Sequence, residues 1–195
     1  MTRIRRIYTD KTMIMLLNKS VFLFIFCSLL VLLAEAQPTP GKEKIVIRFP
    51  TEYRWKSKKI PKDTKAIRGF EYIVQGKDAE NAPVKTVTVT TIDRRYYPMN
   101  AEGSPEEKWE YEKADCPEAT LEIVDKRTTE GRTAILYAIK GIRPSGGGCG
   151  EGILLTYVAE GPTAFHTVEL TIPEARFTAE LYEQWCNVLQ QSRIE

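Results

Sequence analysis

Residues 119–140 read ATLEIVDKRTTEGRTAILYAIK, and this stretch decides the fold class. Its two flanks, 119–126 and 132–140, are rich in Ile, Leu, Val, Thr and Tyr, residues that suit a pleated, half-buried surface. Between them Thr128–Gly131 supplies a polar turn ending in glycine. Two such flanks joined by so short a turn make a β-hairpin, which is antiparallel by construction.

Working outward, the same reading recurs on both sides. VKTVTVTTI at 84–92 is β-branched nearly throughout and is the clearest strand. RGFEYIVQ at 68–75 alternates Phe70, Tyr72 and Val74 against Glu71, Ile73 and Gln75, and Gly76–Pro83 follows as a polar turn. KIVIRF at 44–49 reads as a strand ended by Pro50, and Thr51–Lys58 as a second. ILLTYV at 153–158 and AFHTVELTI at 164–172 complete the set. Ser104-Pro105-Glu106-Glu107 has the form of a helix start, with Ser104 as cap and Glu107 closing a capping box, and the helix should run to about Lys113. Residues 176–192 carry Phe177, Leu181, Trp185 and Leu189 every fourth position, an apolar face for a C-terminal helix. The expectation is an α+β fold: a largely antiparallel sheet of about seven strands, an N-capped middle helix and an amphipathic C-terminal helix packed on the sheet.

The N-terminus is of another kind. VFLFIFCSLLVLL at 21–33 is nearly pure hydrocarbon, shorter than the roughly 20 residues that span a bilayer. Arg3, Arg5, Arg6, Lys11 and Lys19 precede it, and Ala34-Glu35-Ala36 follows. That order of basic, apolar and small residues predicts a signal peptide over 1–36, cleaved after Ala36, with Met13 and Met15 as alternative starts to Met1. The predicted organisation is a signal peptide (1–36), a flexible lead-in (37–43, QPTPGKE) and one domain (44–195). No stable membrane span is expected after cleavage, and the product should be periplasmic or secreted. The whole chain has 28 Lys+Arg against 26 Asp+Glu, and the basic excess lies in the discarded piece. Charge therefore gives no argument for nucleic acid.

Cys116, Cys149 and Cys186 remain after cleavage. In an oxidising compartment two should pair. Cys116 beside Pro117 and Cys149 within a glycine run both adjoin turns, while Cys186 lies on the helical pattern next to Trp185. The expected bond is Cys116–Cys149, with the other two pairings as alternatives.

The search for chemistry returns little. One histidine, His166, and the lack of a Cys-x-x-Cys pair argue against a structural zinc site. SGGGCGEG at 145–152 matches neither a P-loop nor G-x-G-x-x-G. Glu106, Glu107, Glu110, Glu112, Asp115 and Glu118 cluster, as on a solvated helix face. No cofactor and no metal are expected. A thiol–imidazole pair of Cys149 and His166 is the sharpest enzymatic option. The best candidate binding surface is the basic run Lys56, Lys58, Lys59 and Lys62 with Tyr53 and Trp55 beside it.

FEYIVQG at 70–76, Asn81, TVTV at 86–89, AIKG at 138–141 and a closing helix with Trp185 and Leu189 resemble small secreted bacterial proteins of uncharacterised function. The architecture is also similar to the PsbP-like fold, a twisted antiparallel sheet flanked by helices. The resemblance implies a non-enzymatic accessory or binding role and supplies no catalytic residues. The sequence thus reads as an exported binding or accessory protein, more in keeping with a non-enzyme, with a protein partner of unknown identity. Two alternatives are an envelope immunity or chaperone-type protein that masks its partner by charge, and a thiol-dependent enzyme using Cys149 and His166.

Overall fold

In the computed structural model, residues 43–61, 64–144 and 147–195 are described. The expected signal peptide, most of the lead-in and Lys62 lie outside the described residues. The elements run β1 (Ile45–Val46), β2 (Trp55–Ile60), β3 (Ile67–Val74), α1 (Asp78–Asn81), β4 (Thr86–Asp93), α2 (Ser104–Asp115), β5 (Thr120–Thr129), β6 (Arg132–Ile142), β7 (Gly152–Glu160), β8 (Ala164–Pro173), α3 (Ala179–Gln190) and β9 (Arg193–Ile194). A 3₁₀ turn, Glu174–Arg176, links β8 to α3. Seven strands form one sheet in the order β2-β3-β4-β8-β7-β6-β5, antiparallel at every junction. The α+β architecture is the one the sequence predicts.

Strand alternation sorts the side chains onto two faces. One face carries Val87 and Val89 of β4, Leu136 and Ala138 of β6, Leu155 of β7, and Val168, Leu170 and Ile172 of β8. Trp185, Cys186 and Leu189 of α3 pack on it and are almost fully buried. Thr178 caps α3 by accepting a hydrogen bond from the Leu181 N–H at 3.1 Å. The helix therefore starts three residues later than its apolar spacing suggests. The opposite face carries Ile135, Tyr137 and Ile139 of β6 and Phe165 of β8, with Trp109 of α2 against them. Helix α2 lies over β5 and β6. Trp109 Nε1 donates to the Ala119 carbonyl at 2.8 Å, holding the helix to the strand that follows it.

Two starts differ from the sequence expectation. Gly103, not Ser104, occupies the cap position of α2, with no side-chain cap. Pro105 brings no N–H to satisfy, and the Asn100 side chain takes up the Gly103 N–H at 3.0 Å, so a serine cap has little left to do. Of the strand expected at 44–49 only Ile45–Val46 is laddered, because its partner is the two-residue β9 at the far end of the chain.

Cys116, at the end of α2, is bonded to Cys149 in the β6–β7 loop, 33 residues on. Closing that loop is worth about 3–4 kcal/mol in the chain-entropy model. Cys186 is a buried free thiol, and burial pushes its pKa up to about 11. Without a reductant, the folded protein produced from Gln37 onward should react with no thiol reagent. Unfolding in denaturant should expose one reactive sulfur among the described residues, read as a single adduct by intact mass.

The hairpin turn holds a second testable feature. Glu130 and Gly131 both have positive φ, at 53° and 72°, between the paired Thr129 and Arg132. A two-residue turn of this hand matches strand twist, but only glycine and asparagine adopt it cheaply. Glu130→Asn should stabilise the fold by about 1 kcal/mol, seen as a raised midpoint in urea unfolding with an unchanged slope.

Candidate functional site

The residues singled out in the sequence do not converge. Lys56, Lys58 and Lys59 sit on β2, an edge strand, and are exposed. Lys58 pairs across to Glu71 and Lys59 to Phe70, so neighbouring lysines leave by opposite faces. Lysines on an edge strand also discourage another chain from pairing there. Trp55 is a core residue: its ring stacks on Phe49 at 4.9 Å and meets Trp185 edge-on at 5.9 Å, and its Nε1 donates to the Pro50 carbonyl at 3.1 Å. Tyr53 is half-buried just before it.

Cys149 and His166 are not brought together. Cys149 is spent in the disulfide, beside the end of β7 where Gly152 pairs Pro173. His166 pairs Ala159 at the other end of the same ladder, on the order of 20 Å away at a strand's rise per residue. The thiol–imidazole reading is therefore corrected.

His166 instead belongs to a buried polar chain. Its Nε2 lies 3.0 Å from Glu43 Oε1 and its Nδ1 lies 3.1 Å from Thr91 Oγ1. Glu43 Oε2 accepts from the Thr163 N–H at 2.9 Å and its hydroxyl at 2.8 Å. Arg68 donates to the Glu43 carbonyl at 2.6 Å. Gly161 leaves the room: a Cβ there would stand 1.5 Å from Glu43 Oε1. Hydroxyl, imidazole and carboxylate in this order have the connectivity of a nucleophilic triad. Yet Thr91 is 7% exposed, His166 0% and Glu43 6%, so no substrate atom reaches the hydroxyl. The chain is a clasp that fixes the segment leading into β1 onto β4 and β8.

What the sheet leaves open is on the α2 side. Helix α2 lies over β5 and β6, and among the described residues only its Ser104–Tyr111 side borders the neighbouring face of β4 and β8. Thr86, Thr88 and Thr90 of β4 and Thr167, Glu169 and Thr171 of β8 are half-buried there. One cross-strand row reads Glu71, Thr88, Glu169, Thr156, Tyr137. Walls turn this face into a cleft. Pro83 and Lys85, Pro144, and Pro173 with Arg176 border a hollow of about 590 Å³ over Glu71, Thr86, Thr88 and Thr171. A second hollow of about 400 Å³ lies over Thr90 and Thr167, bordered by Met99 and by Lys108 and Tyr111 of α2. Glu169 lines both hollows.

Lys108 bridges from α2 to the floor, 3.4 Å from Glu169 and 3.2 Å from Glu112. Burial alone would lower its pKa, but the two carboxylates outweigh burial and raise it, keeping the ammonium charged. Burial pushes the Tyr137 phenol up to about 12, so it stays neutral at the floor. Thr156 Oγ1 is buried with no hydrogen-bond partner. Among the described residues no group of three or more metal-ligating side chains is found, and no helix is long and apolar enough to cross a membrane. Sequence reasoning missed this site. Its signal was the run TVTVT at 86–90, whose threonines form one face as surely as its valines form the other.

No family model matches the chain, and no curated protein matches it significantly. Among solved structures it is similar to cyanobacterial PsbP (CyanoP) from Synechocystis sp. PCC 6803, with a TM-score of 0.49 and 10% identity over 80% of this chain and 95% of that one. It is also similar to LpqN, involved in cell envelope biogenesis of Mycobacterium tuberculosis, with a TM-score of 0.39 and 15% identity over 80% of this chain and 86% of that one. These likenesses concern the fold alone.

The clasp makes stability depend on pH. Burial, with help from the Arg68 charge, depresses His166 below its ordinary 6.5 despite the pull of Glu43. Burial would raise Glu43, but its bonds to His166 and Thr163 outweigh that and hold it below 4.5. Below about pH 6.5 the unfolded chain binds a proton at His166 that the folded chain refuses, and below about 4.5 the same holds at Glu43. Both contributions are whole above pH 6.5 and are lost as pH falls. Unfolding free energy should drop on acidification from pH 7 to 4. In His166→Gln the drop between pH 6.5 and 5 should be absent, whatever the variant's absolute stability.

Proposed function

We propose that the chain is an exported, non-enzymatic binding protein that holds its ligand in the cleft over β4 and β8. The observation that carries this reading is the walled, polar sheet face between α2 and the Pro83–Lys85 and Pro144 borders. A sheet face left uncovered only for solvation needs no walls. Here residues beyond one end of the strands (Pro83, Pro144, Pro173 and Arg176) and the flank of α2 border a floor of hydroxyls and carboxylates, the concave form that ligand sites take.

Export is supported by the basic, apolar and small-residue order of residues 1–36. The Cys116–Cys149 bond fits an oxidising compartment. A binding role rather than catalysis is supported by the burial of the hydroxyl–imidazole–carboxylate chain. Masking a partner through a lysine patch is less well supported, since the β2 lysines point to both sides of an edge.

The test is capture from envelope extract of the producing organism, using the exported protein and its Thr88→Arg variant side by side. Arginine at 88 would fill the middle of the cleft at a half-buried, solvent-bordered position. The expected result is material retained by the wild type and lost from the variant at equal thermal stability, with no turnover of what is retained. Identical retention by both proteins, or conversion of the retained compound, would overturn the reading.

A further inference from the structure

We infer that the ligand of the cleft is a neutral oligosaccharide, an assignment that rests on the cleft being the binding site. The first argument is charge. The floor and walls oppose Glu71, Glu107 and Glu169 to Lys85, Lys108 and Arg176, and Lys108 is already engaged by two carboxylates. A polyanion would meet the uncompensated acids, and a cation would meet the bases. A ligand without net charge meets neither.

The second argument is the kind of polar group on offer. Thr86, Thr88 and Thr90 rise along β4 at about 7 Å intervals, with Thr167 and Thr171 on the neighbouring strand. A threonine hydroxyl both donates and accepts, and so does a sugar hydroxyl. Carboxylates beside them accept from sugar hydroxyls and ammonium groups donate to them. An acyl chain on this floor would strip water from every one of these groups without replacing its bonds.

The third argument removes the peptide. An extended peptide gains its affinity by adding to an unpaired strand edge. The strands under the cleft, β4 and β8, are each paired on both sides, so the floor offers no main-chain groups. The apolar lining is Pro83, Pro144, Leu154 and Pro173 at one end, and at the other Met99, Phe165 and the ring of Tyr111, which is 69% exposed. Such faces suit the C–H side of a pyranose ring.

The experiment is an amide-shift titration of the isotopically labelled, exported protein with cello-, malto- and chito-oligosaccharides of four to six units. Polyphosphate and an unstructured peptide serve as comparison probes. At least one oligosaccharide should give saturable shifts confined to residues 86–90, 167–171 and the start of α2. The combined variant Thr88→Val, Thr167→Val, Thr171→Val keeps β-branching and should keep the fold. It should bind about tenfold more weakly or worse, since each lost hydroxyl removes a hydrogen bond. If no oligosaccharide shifts these amides, or if polyphosphate or peptide does so instead, the sugar assignment falls. Capture that depends on Thr88 would in that case leave the cleft standing as the binding site. If neither capture nor any probe depends on the cleft, both fall together.

Discussion

The pleat of β4 is the constraint on which the rest depends. In TVTVT at 86–90 every second side chain is a valine and every other a threonine. Val87 and Val89 go down into the layer sealed by α3, where they are 0% and 5% exposed. Thr86, Thr88 and Thr90 go up into the cleft. Core and site are thus two sides of one strand, and the apolar side fixes the polar one. A register slip of a single residue would bury three hydroxyls and expose two valines, so the packing of Trp185 and Leu189 also holds the cleft floor in place. The neighbour strand β8 repeats the device, with Val168, Leu170 and Ile172 beneath and Thr167, Glu169 and Thr171 above.

The clasp around His166 works against the usual expectation for a buried charge. A carboxylate in the interior loses its water, and here hydrogen bonds from the imidazole and from Thr163 replace it. The clasp's effect is on arrangement. Glu43 is the first described residue and reaches a partner 123 positions away. Every oxygen it carries is taken, by His166, Thr163 and Arg68. Removing one partner strands the others, so the segment leading into β1 is held in one position beside the start of β8. Lys44 and Glu195 then exchange backbone hydrogen bonds at 2.8 and 2.9 Å, closing the chain's two described ends against each other.

Most of the sheet was legible because strand patterns and short turns are local. The hairpin at 119–140, the strand at 84–92 and the helix face bearing Trp185 each follow from residues within a dozen positions of one another. The Cys116–Cys149 bond was legible for a similar reason, since both cysteines adjoin turn residues. What escaped was set by contacts distant in sequence. Nothing near Glu43 marks it as buried, and nothing near His166 names its partner. Trp55 looked like part of a basic surface because its neighbours are lysines, but alternation on an edge strand sends it inward to Phe49 and Trp185. The cleft escaped because threonine is a good strand former on either face, so TVTVT announces a strand without saying that its polar side will be walled.

Two of the cleft's carboxylates, Glu71 and Glu169, raise the question of whether a bound sugar would be cut. Glycosidic cleavage uses a pair of carboxyl groups across the scissile bond, one of which must deliver a proton to the leaving oxygen. Glu71 and Glu169 flank Thr88 in one cross-strand row, so their strands stand two ladder spacings apart, about 10 Å. That exceeds the separation of a retaining pair and lies at the upper edge of an inverting one. Lys108 engages one of the two, its ammonium sitting 3.4 Å from Glu169 and itself held by Glu112 on the same helix. Glu71 pairs with Lys58 across the β2–β3 ladder and sits on the far side of the threonine row. The two carboxylates thus stand on either side of the threonine row, and the helix that borders the cleft holds one of them in place through Lys108.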